Sequence, residues 1–334
     1  MARTSWHALR VDELRLIDAF LAPFGLSRDA RAAGPGVLSG PGDDCAVVRP
    51  SAGRKLVLKV DELVERVHFD WRWFTPADVG HKALAAALSD LAAAAARPRW
   101  FLCALGVRPG PDALRIARGM AGGMAALARR HGCVLVGGNV TRAGAWSVSV
   151  SALGEATRPR GRGGARPGDA IVLLGELGKA ALGLRLLRGP GRKPISRGRP
   201  PPVRAQIRPE PLVEAGLAAG SLASAAVDVS DGFLRDLGHV CSASRCGAEV
   251  DVDSLPLDPA VRSAGVELAL SGGEDYALLF AVRRRNLAGL LSRLRRIGTP
   301  AAVVGRFVPG RGLRLLEGGK PRPLPKRLGW DHLA

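Results

Sequence analysis

Aromatic side chains are scarce in this sequence. Phe, Trp and Tyr make up 4% of 334 residues, with a single Tyr. Proteins that hold single-stranded nucleic acid stack its bases on such rings, so the shortage argues against that function. Acid is scarce too: 30 Asp and Glu stand against 49 Lys and Arg, a formal charge of +19. Only seven of the basic residues are Lys. A surplus of Arg, Ala, Gly and Pro suits a GC-rich genome, which makes part of the charge compositional. A basic surface attracts anionic partners such as phosphates. For most of these residues, simple solvation explains the charge equally well.

Long hydrophobic runs are missing as well. No apolar stretch reaches membrane-spanning length, and "MARTSWHALRVDELRLIDAF" has no apolar leader core. The expectation is a cytoplasmic protein with no membrane partner. The five cysteines form no CxxC, and Cys45, Cys103 and Cys133 read as small core residues in apolar runs. His239, Cys241 and Cys246 could ligate a metal, but their spacing fits no common zinc pattern. Catalytic signatures of the GxSxG, HExxH and HRD kinds are absent, and the six histidines are dispersed. The stretch "GELGKAALG", residues 175–183, lacks both the spacer and the Ser/Thr of a Walker A loop. These absences leave reactions that need no general base. Phosphoryl transfer onto another phosphate is one, because the nucleophile is already an anion and needs only alignment and neutralisation.

Apolar residues reach 47%, enough for a globular chain of two domains. Helical spacing of Val11, Leu14, Ile17 and Leu21 predicts an opening helix. "CAVV" and "KLVLKVDE" read as strands, the second ending at Asp61. Thr75 and Pro76 open a helix that Pro98 closes. A strand "WFLCALGV" and a helix over 111–132, weakened by Gly122 and Gly123, follow. "CVLVGGNV" and "WSVSVSALGE" complete the first half. Residues 156–168, "ATRPRGRGGARPG", make the best boundary. The second half restarts as strand "DAIVLLGEL" and helix "GKAALGLRLL". Residues 185–208 carry eight Arg/Lys and no acid, and read as a flexible surface segment. A helix, the strand "SAAVDVS", the helix "DGFLRDLGHVCSAS", the strand "AEVDVD", a turn into "YALLFAV", a helix over 286–296 and a last strand "AAVVGRFV" follow. The fold class is α/β (α+β) in two domains.

The few acids sit at strand ends and Gly- or Ser-rich turns. Asp43 and Asp44 lie in "GPGDDCAVV", Asp61 in "LKVDE", Asp90 in "ALSDLAA", Asp228 and Asp231 in "VDVSDG", Glu274 and Asp275 in "SGGEDY". Asp236 follows closely, so "DVSDGFLRDL" holds three of the chain's acids. Each has an ordinary reading: Asp43 or Asp44 as a turn residue, Ser230 or Asp231 as a helix cap, Asp90 as surface. Together they point to a shared metal–phosphate site. Carboxylates in one pocket repel unless a hard cation such as Mg²⁺ sits among them, and Gly turns add N–H groups for phosphate.

"GPGDDCAVV", "VDELVERVHF", "HKALAAALSDLAA", "GGNVTR", "ARPGDAIVL", "VDVSDGFLRDLGHV", "SGGEDYALLF" and the terminal "GWDH" occur in the order, and near the spacing, of thiamine-monophosphate kinase. The chain resembles that family from about residue 12 to 332. The family belongs with aminoimidazole-ribonucleotide synthetase and selenophosphate synthetase. The resemblance implies an aminoimidazole-ribonucleotide-synthetase-like fold whose N-terminal sheet pairs across a homodimer. It implies an ATP/Mg-binding and dimerisation domain over 1–155, a linker over 156–168 and a C-terminal α/β domain over 169–334. The implied reaction is ATP plus thiamine monophosphate giving thiamine diphosphate and ADP by in-line transfer, with several Mg²⁺ ions. Asp44, Asp61, Asp90, Asp228 and Asp231 correspond to metal ligands. Ser230, Arg162 and the Gly138–Asn139 turn correspond to ATP contacts, and His68, Glu274 and Trp330 to substrate contacts. Trp330 could stack on the charged thiazolium, or cover an apolar patch. Three positions depart from the family. Asn139 stands where Asp is usual, and Lys59 and Val60 replace a Ser/Thr pair, so one Mg²⁺ site keeps Asp61 and loses other oxygen ligands. Lys59 could supply a fixed positive charge there. The alternative is a degenerate, non-catalytic or altered-substrate ATP-binding member of the same superfamily.

Overall fold

The computed structural model describes residues 13–27, 34–41, 45–189 and 198–331. Asp43, Asp44 and the middle of the basic segment, 190–197, lie outside these residues. The chain divides into two compact units, Met1–Ala87 with Pro98–Glu155, and Leu88–Arg97 with Ala156–Ala334.

The first unit opens on α1 (Glu13–Leu21) and a small pair β1 (Val37–Ser39) and β2 (Val47–Val48). It continues with β3 (Lys55–Val64), α2 (Pro76–Ala93), β4 (Arg97–Val107), α3 (Ala113–His131), β5 (Val134–Arg142) and β6 (Ser147–Ala156). The four longer strands form one sheet in the order β3-β6-β4-β5. β4 and β5 run parallel, which the α3 crossover between them permits. In α1 the buried face is Leu16, Phe20 and Leu21, while Leu14 is exposed, so the expected stripe is rotated. α2 begins with a reciprocal cap. Thr75 Oγ1 accepts from the Asp78 N–H at 3.3 Å, and Asp78 Oδ2 accepts from the Thr75 N–H and hydroxyl at 2.9 and 2.7 Å. The glycines of α3 that look like a weakness have different roles. A Cβ on Gly123 would lie 1.9 Å from the Ala77 carbonyl of α2, so Gly123 permits a close helix crossing. Gly122 beside it faces open space. β3 runs past Asp61 to Val64 and lies at the sheet edge, where Leu58 and Val60 are 70% and 62% exposed.

The second unit contains β7 (Ala170–Leu174), α4 (Lys179–Arg188), α5 (Pro201–Ile207), α6 (Val213–Gly220), β8 (Ala223–Val229), α7 (Phe233–Ser244) and β9 (Gly247–Asp251). It continues with α8 (Pro259–Ala264), α9 (Glu267–Ser271), β10 (Ala277–Val282), α10 (Arg284–Arg296), β11 (Ala301–Val308), β12 (Leu313–Glu317) and β13 (Lys320–Arg322). Its sheet runs β13-β12-β9-β11-β7-β10-β8. α7 buries Phe233, Leu234, Leu237 and Val240, one helical face, in a core with Ile171, Val227, Val229 and Leu279.

Two expectations are corrected here. The segment 185–208 is ordered at both described ends: α4 reaches Arg188, and α5 buries Val203 and Ile207. Pro201 and Pro202 fill the first turn of α5, where a missing N–H costs nothing. Nor is β11 the last strand. β12 and β13 form a hairpin through Gly318 and Gly319, both at positive φ, a Gly-Gly turn signal that the sequence contains.

Candidate active site

β8 lies at the sheet edge beside β10, antiparallel, with Val229 opposite Ala277. That register places the turn leaving β8, "SDG", beside the turn entering β10, "SGGEDY". The Glu274 N–H donates to the Ser230 carbonyl at 2.7 Å, and the Tyr276 N–H to the Val229 carbonyl at 2.8 Å. Gly273 is pressed so close that a Cβ would lie 2.6 Å from the Ser230 carbonyl oxygen. Glu274 and Tyr276 both adopt left-handed backbone, at φ 66° and 50°, a strained state for side-chain-bearing residues. Glu274 Oε2 accepts from Gln206 Nε2 at 2.5 Å. The basic segment, read from the sequence as a flexible surface segment, therefore reaches Glu274 through α5.

Asp236 explains the third acid of "DVSDGFLRDL". Its Oδ2 accepts from the N–H groups of Ser230, Asp231 and Gly232 at 3.0, 3.1 and 3.2 Å. The carboxylate holds the loop in shape. Burial, then the charge of Asp231, raises its pKa to about 7 despite those three bonds. The cap residue of α7 is Gly232, at φ 131°, so neither Ser230 nor Asp231 serves as the cap. Asp228 is buried at the end of β8, and Asp231 is half-buried on the loop. The tail joins the same loop: the Trp330 N–H donates to the Asp231 carbonyl at 2.7 Å while the residue stays 49% exposed. Arg162 is exposed, and its carbonyl accepts from Ser244 Oγ at 3.2 Å. Burial, then the guanidinium groups of Arg162 and Arg235, hold the His239 pKa below its usual value. The second unit thus gathers Ser230, Asp231, Glu274 and Trp330 by direct backbone bonds, with Arg162 near α7.

The Walker-like stretch has a different occupant. Asp275 accepts from the N–H groups of Gly178 and Ala180 at 2.6 and 3.0 Å. The protein's own carboxylate fills the α4 N-terminus, where a phosphate would otherwise sit. Burial raises the Asp275 pKa to about 7 against those two bonds.

In the first unit, Asp61 lies within β3, and Lys59 Nζ stands 3.3 Å from its Oδ1. Period-two alternation puts both on one face. Gly138 and Asn139 lie within β5, so the expected turn is strand. A Cβ on Gly138 would lie 1.9 Å from the Cys103 carbonyl, which makes that glycine a requirement of β4–β5 pairing. β6 and β4 intervene between Asp61 and Asn139, a separation of about 14 Å at normal strand spacing. Strand order therefore keeps these two positions apart within the sheet. A cavity of about 240 Å³ lies against Gly138 and Asn139, walled by Ile17, Phe20, Leu105 and Leu135. His68 Nδ1 accepts from the Val64 N–H at 3.1 Å, so the neutral ring carries its proton on Nε2. Fully buried Lys82 donates to the His68 carbonyl at 3.3 Å and lies 5.3 Å from the Phe74 ring centroid. Sequence reasoning missed Lys82; the signal was a lone lysine in the apolar run "HKALAAALSDLAA". Asp90, half-buried, sits in the last turn of α2, in the Leu88–Arg97 stretch that belongs to the second unit, where the helix dipole disfavours an anion.

Among the described residues, no group of three or more His, Cys, Asp or Glu side chains is placed to hold a metal ion. Asp228, at the end of β8, and Asp231, on the loop that follows it, offer hard oxygen donors. That donor set fits Mg²⁺, which commonly takes one or two carboxylates and completes its shell with phosphates and water. No helix among the described residues is long and apolar enough to cross a membrane.

Two family models match the chain: AIR synthase related protein, N-terminal domain, over residues 42–156, and AIR synthase related protein, C-terminal domain, over 166–317. They define the class to which the two-unit α/β architecture corresponds. The thiamine-monophosphate kinase of Salmonella typhimurium is 36% identical over 306 residues, covering 89% of this chain and 93% of that protein. The crystal structure of the Stenotrophomonas maltophilia thiamine-monophosphate kinase superposes with a TM-score of 0.78 at 36% identity, over 93% of this chain and 98% of that one. AaThiL complexed with AMPPCP and TMP gives a TM-score of 0.72 at 27% identity, over 95% and 96%. The chain belongs to the thiamine-monophosphate kinase family.

Proposed function

We infer that this protein transfers the γ-phosphoryl group of ATP to the phosphate of thiamine monophosphate, giving thiamine diphosphate and ADP. The observation that carries the reading is the near full-length match to thiamine-monophosphate kinases, with 36% identity over 89% of the chain. The "SDG" and "SGGEDY" turns, joined by backbone bonds, bring Ser230, Asp231 and Glu274 together. The acceptor is an anion, so no side chain has to remove a proton, and the catalytic work is alignment and charge neutralisation. Mg²⁺, when bound, would neutralise the phosphates and the charge that shifts between them. Asp44, Asp61, Asp90, Asp228 and Asp231 are its proposed ligands. Ser230, Arg162, Gly138 and Asn139 are proposed to hold ATP. The apolar cavity against Gly138 and Asn139 suits the base better than the phosphates. His68, Glu274 and Trp330 are proposed to hold thiamine monophosphate, with Gln206 and Lys82 supporting the first two from behind.

The proposed domain roles follow the resemblance: ATP/Mg binding and dimerisation over 1–155, a linker over 156–168, and an α/β domain over 169–334. A homodimer is part of the proposal, supported by the exposed apolar side chains Leu56, Leu58 and Val60 on an edge strand. Five free cysteines suit the reducing cytoplasm. The Lys59–Asp61 ion pair favours a second reading, a member with an altered metal requirement. One experiment addresses both: purified protein with ATP, MgCl₂ and thiamine monophosphate, followed by separation of thiamine diphosphate. Product that disappears without Mg²⁺ supports the kinase. No product at any Mg²⁺ concentration, but product from Lys59→Ser, supports the second reading.

A further inference from the structure

The geometry points to Arg235 as a positioning residue that ties the tail segment 328–331 to the acid loop and so fixes where the Trp330 indole meets substrate. This rests on the kinase reading above. Arg235 is in the first turn of α7, directly behind the loop. Its backbone N–H donates to the Leu328 carbonyl at 3.1 Å, and its guanidinium Nη1 donates to the Trp330 carbonyl. Nη1 also lies 4.0 Å from Asp331 Oδ2, and Nε lies 3.7 Å from Asp231 Oδ2. One side chain therefore touches a proposed metal ligand and the carbonyl of a proposed substrate residue.

The helix itself does not call for this residue. A cation in the first turn faces the positive end of the helix dipole, where an anion is favoured. Its stabilising contacts are the tail and Asp231. The tail is shaped to match: a Cβ on Gly329 would lie 2.6 Å from the Asp231 carbonyl oxygen and 2.7 Å from Arg235 Cβ. The backbone of residue 330 is thereby held on the loop while its ring is half exposed, as a surface offered to a planar ligand should be. The planar guanidinium can reach the Trp330 carbonyl and Asp231 from different nitrogens at once, which a lysine ammonium cannot reproduce.

The test is Arg235→Gln and Arg235→Lys in the full chain. Hydrogen exchange of the tail peptide and steady-state kinetics are measured on both. Losing a charge-assisted bond should speed tail exchange and raise KM for thiamine monophosphate by about tenfold in Arg235→Gln. KM for ATP should stay within about twofold, and kcat should fall by less than the KM for thiamine monophosphate rises, because Arg235 also borders Asp231. Arg235→Lys should recover only part of the loss. Gly329→Ala, whose methyl would press on the Asp231 carbonyl and on Arg235 Cβ and so force the tail off the loop, should give the same signature. Unchanged tail exchange in Arg235→Gln overturns the inference. So does an equal rise in both KM values, which would make Arg235 a nucleotide contact. Should wild type make no thiamine diphosphate, the kinase reading falls, and tail exchange alone still decides whether Arg235 is the clasp.

Discussion

Asp61 and Asp231 each have a basic side chain within reach, Lys59 at 3.3 Å and Arg235 at 3.7 Å, yet the two regions are built by different means. Asp61 is presented by strand register. Alternation puts Lys59 on its face, and the edge position leaves both partly open to water. Asp231 is presented by a loop with little regular structure of its own. Three N–H groups on one carboxylate, two bonds from the neighbouring turn and one from the tail fix it. A strand can place a charge with few supports but cannot choose its neighbours two residues away. A loop needs a buried supporting shell, and that shell can bring in partners from distant parts of the chain.

The sharpest way to break the comparison is to neutralise each acid. Asp231→Asn should lower kcat by roughly a hundredfold or more, the scale of losing a charged ligand on a metal–phosphate site. Asp61→Asn should cost less, because Lys59 stands closer to Asp61, at 3.3 Å, than Arg235 does to Asp231, at 3.7 Å, and offsets more of its charge. Equal losses would show that the strand and the loop contribute alike. Next comes the supporting shell. Gly273→Ala puts a methyl 2.6 Å from the Ser230 carbonyl, and should destabilise the fold by about 1–3 kcal/mol in a denaturant titration. A neutral effect would mean the two turns are loosely joined.

A smaller effect concerns pH. Asp275 has a folded pKa of about 7, above its ordinary 3.8. Between these values the folded state holds its proton more tightly than the unfolded chain. Its contribution to stability therefore falls as pH rises through that window and is level above it. Thermal melts of wild type and Asp275→Asn from pH 4 to 8 should show the flatter profile in the variant. Smallest of all, Lys59→Ser should change stability by less than about 1 kcal/mol, since a half-open ion pair contributes little. Its effect should appear as a shifted Mg²⁺ dependence of turnover.

Much of the second region was legible in the sequence. "VDVSDGFLRDL" announces a strand, a Gly turn and a helix, and the apolar spacing of Phe233, Leu234, Leu237 and Val240 marks the buried face. The supporting role of Asp236 was not legible, because an acid near other acids reads as one more ligand until its hydrogen bonds are known. Gly138 was only partly legible: the Cys103 carbonyl of a parallel strand approaches it closely, a packing need that three residues of sequence do not reveal. The separation of Asp61 from Asn139 depends on strand order, which local sequence does not encode. The α5 helix was hidden by prolines that are breakers inside a helix and favourable at its start. Gln206, whose amide reaches Glu274, lies in that helix, and polar side chains carry no periodic signal.

The loop at Asp231 is proposed to carry phosphoryl transfer to thiamine monophosphate. The direct measurement is thiamine diphosphate formed per minute by wild type and by Asp231→Asn, side by side at saturating ATP and Mg²⁺. Sustained formation by wild type, with the variant reduced by about two orders of magnitude, is the predicted result. A variant that matches wild type, or a wild-type protein that forms no product, would contradict it.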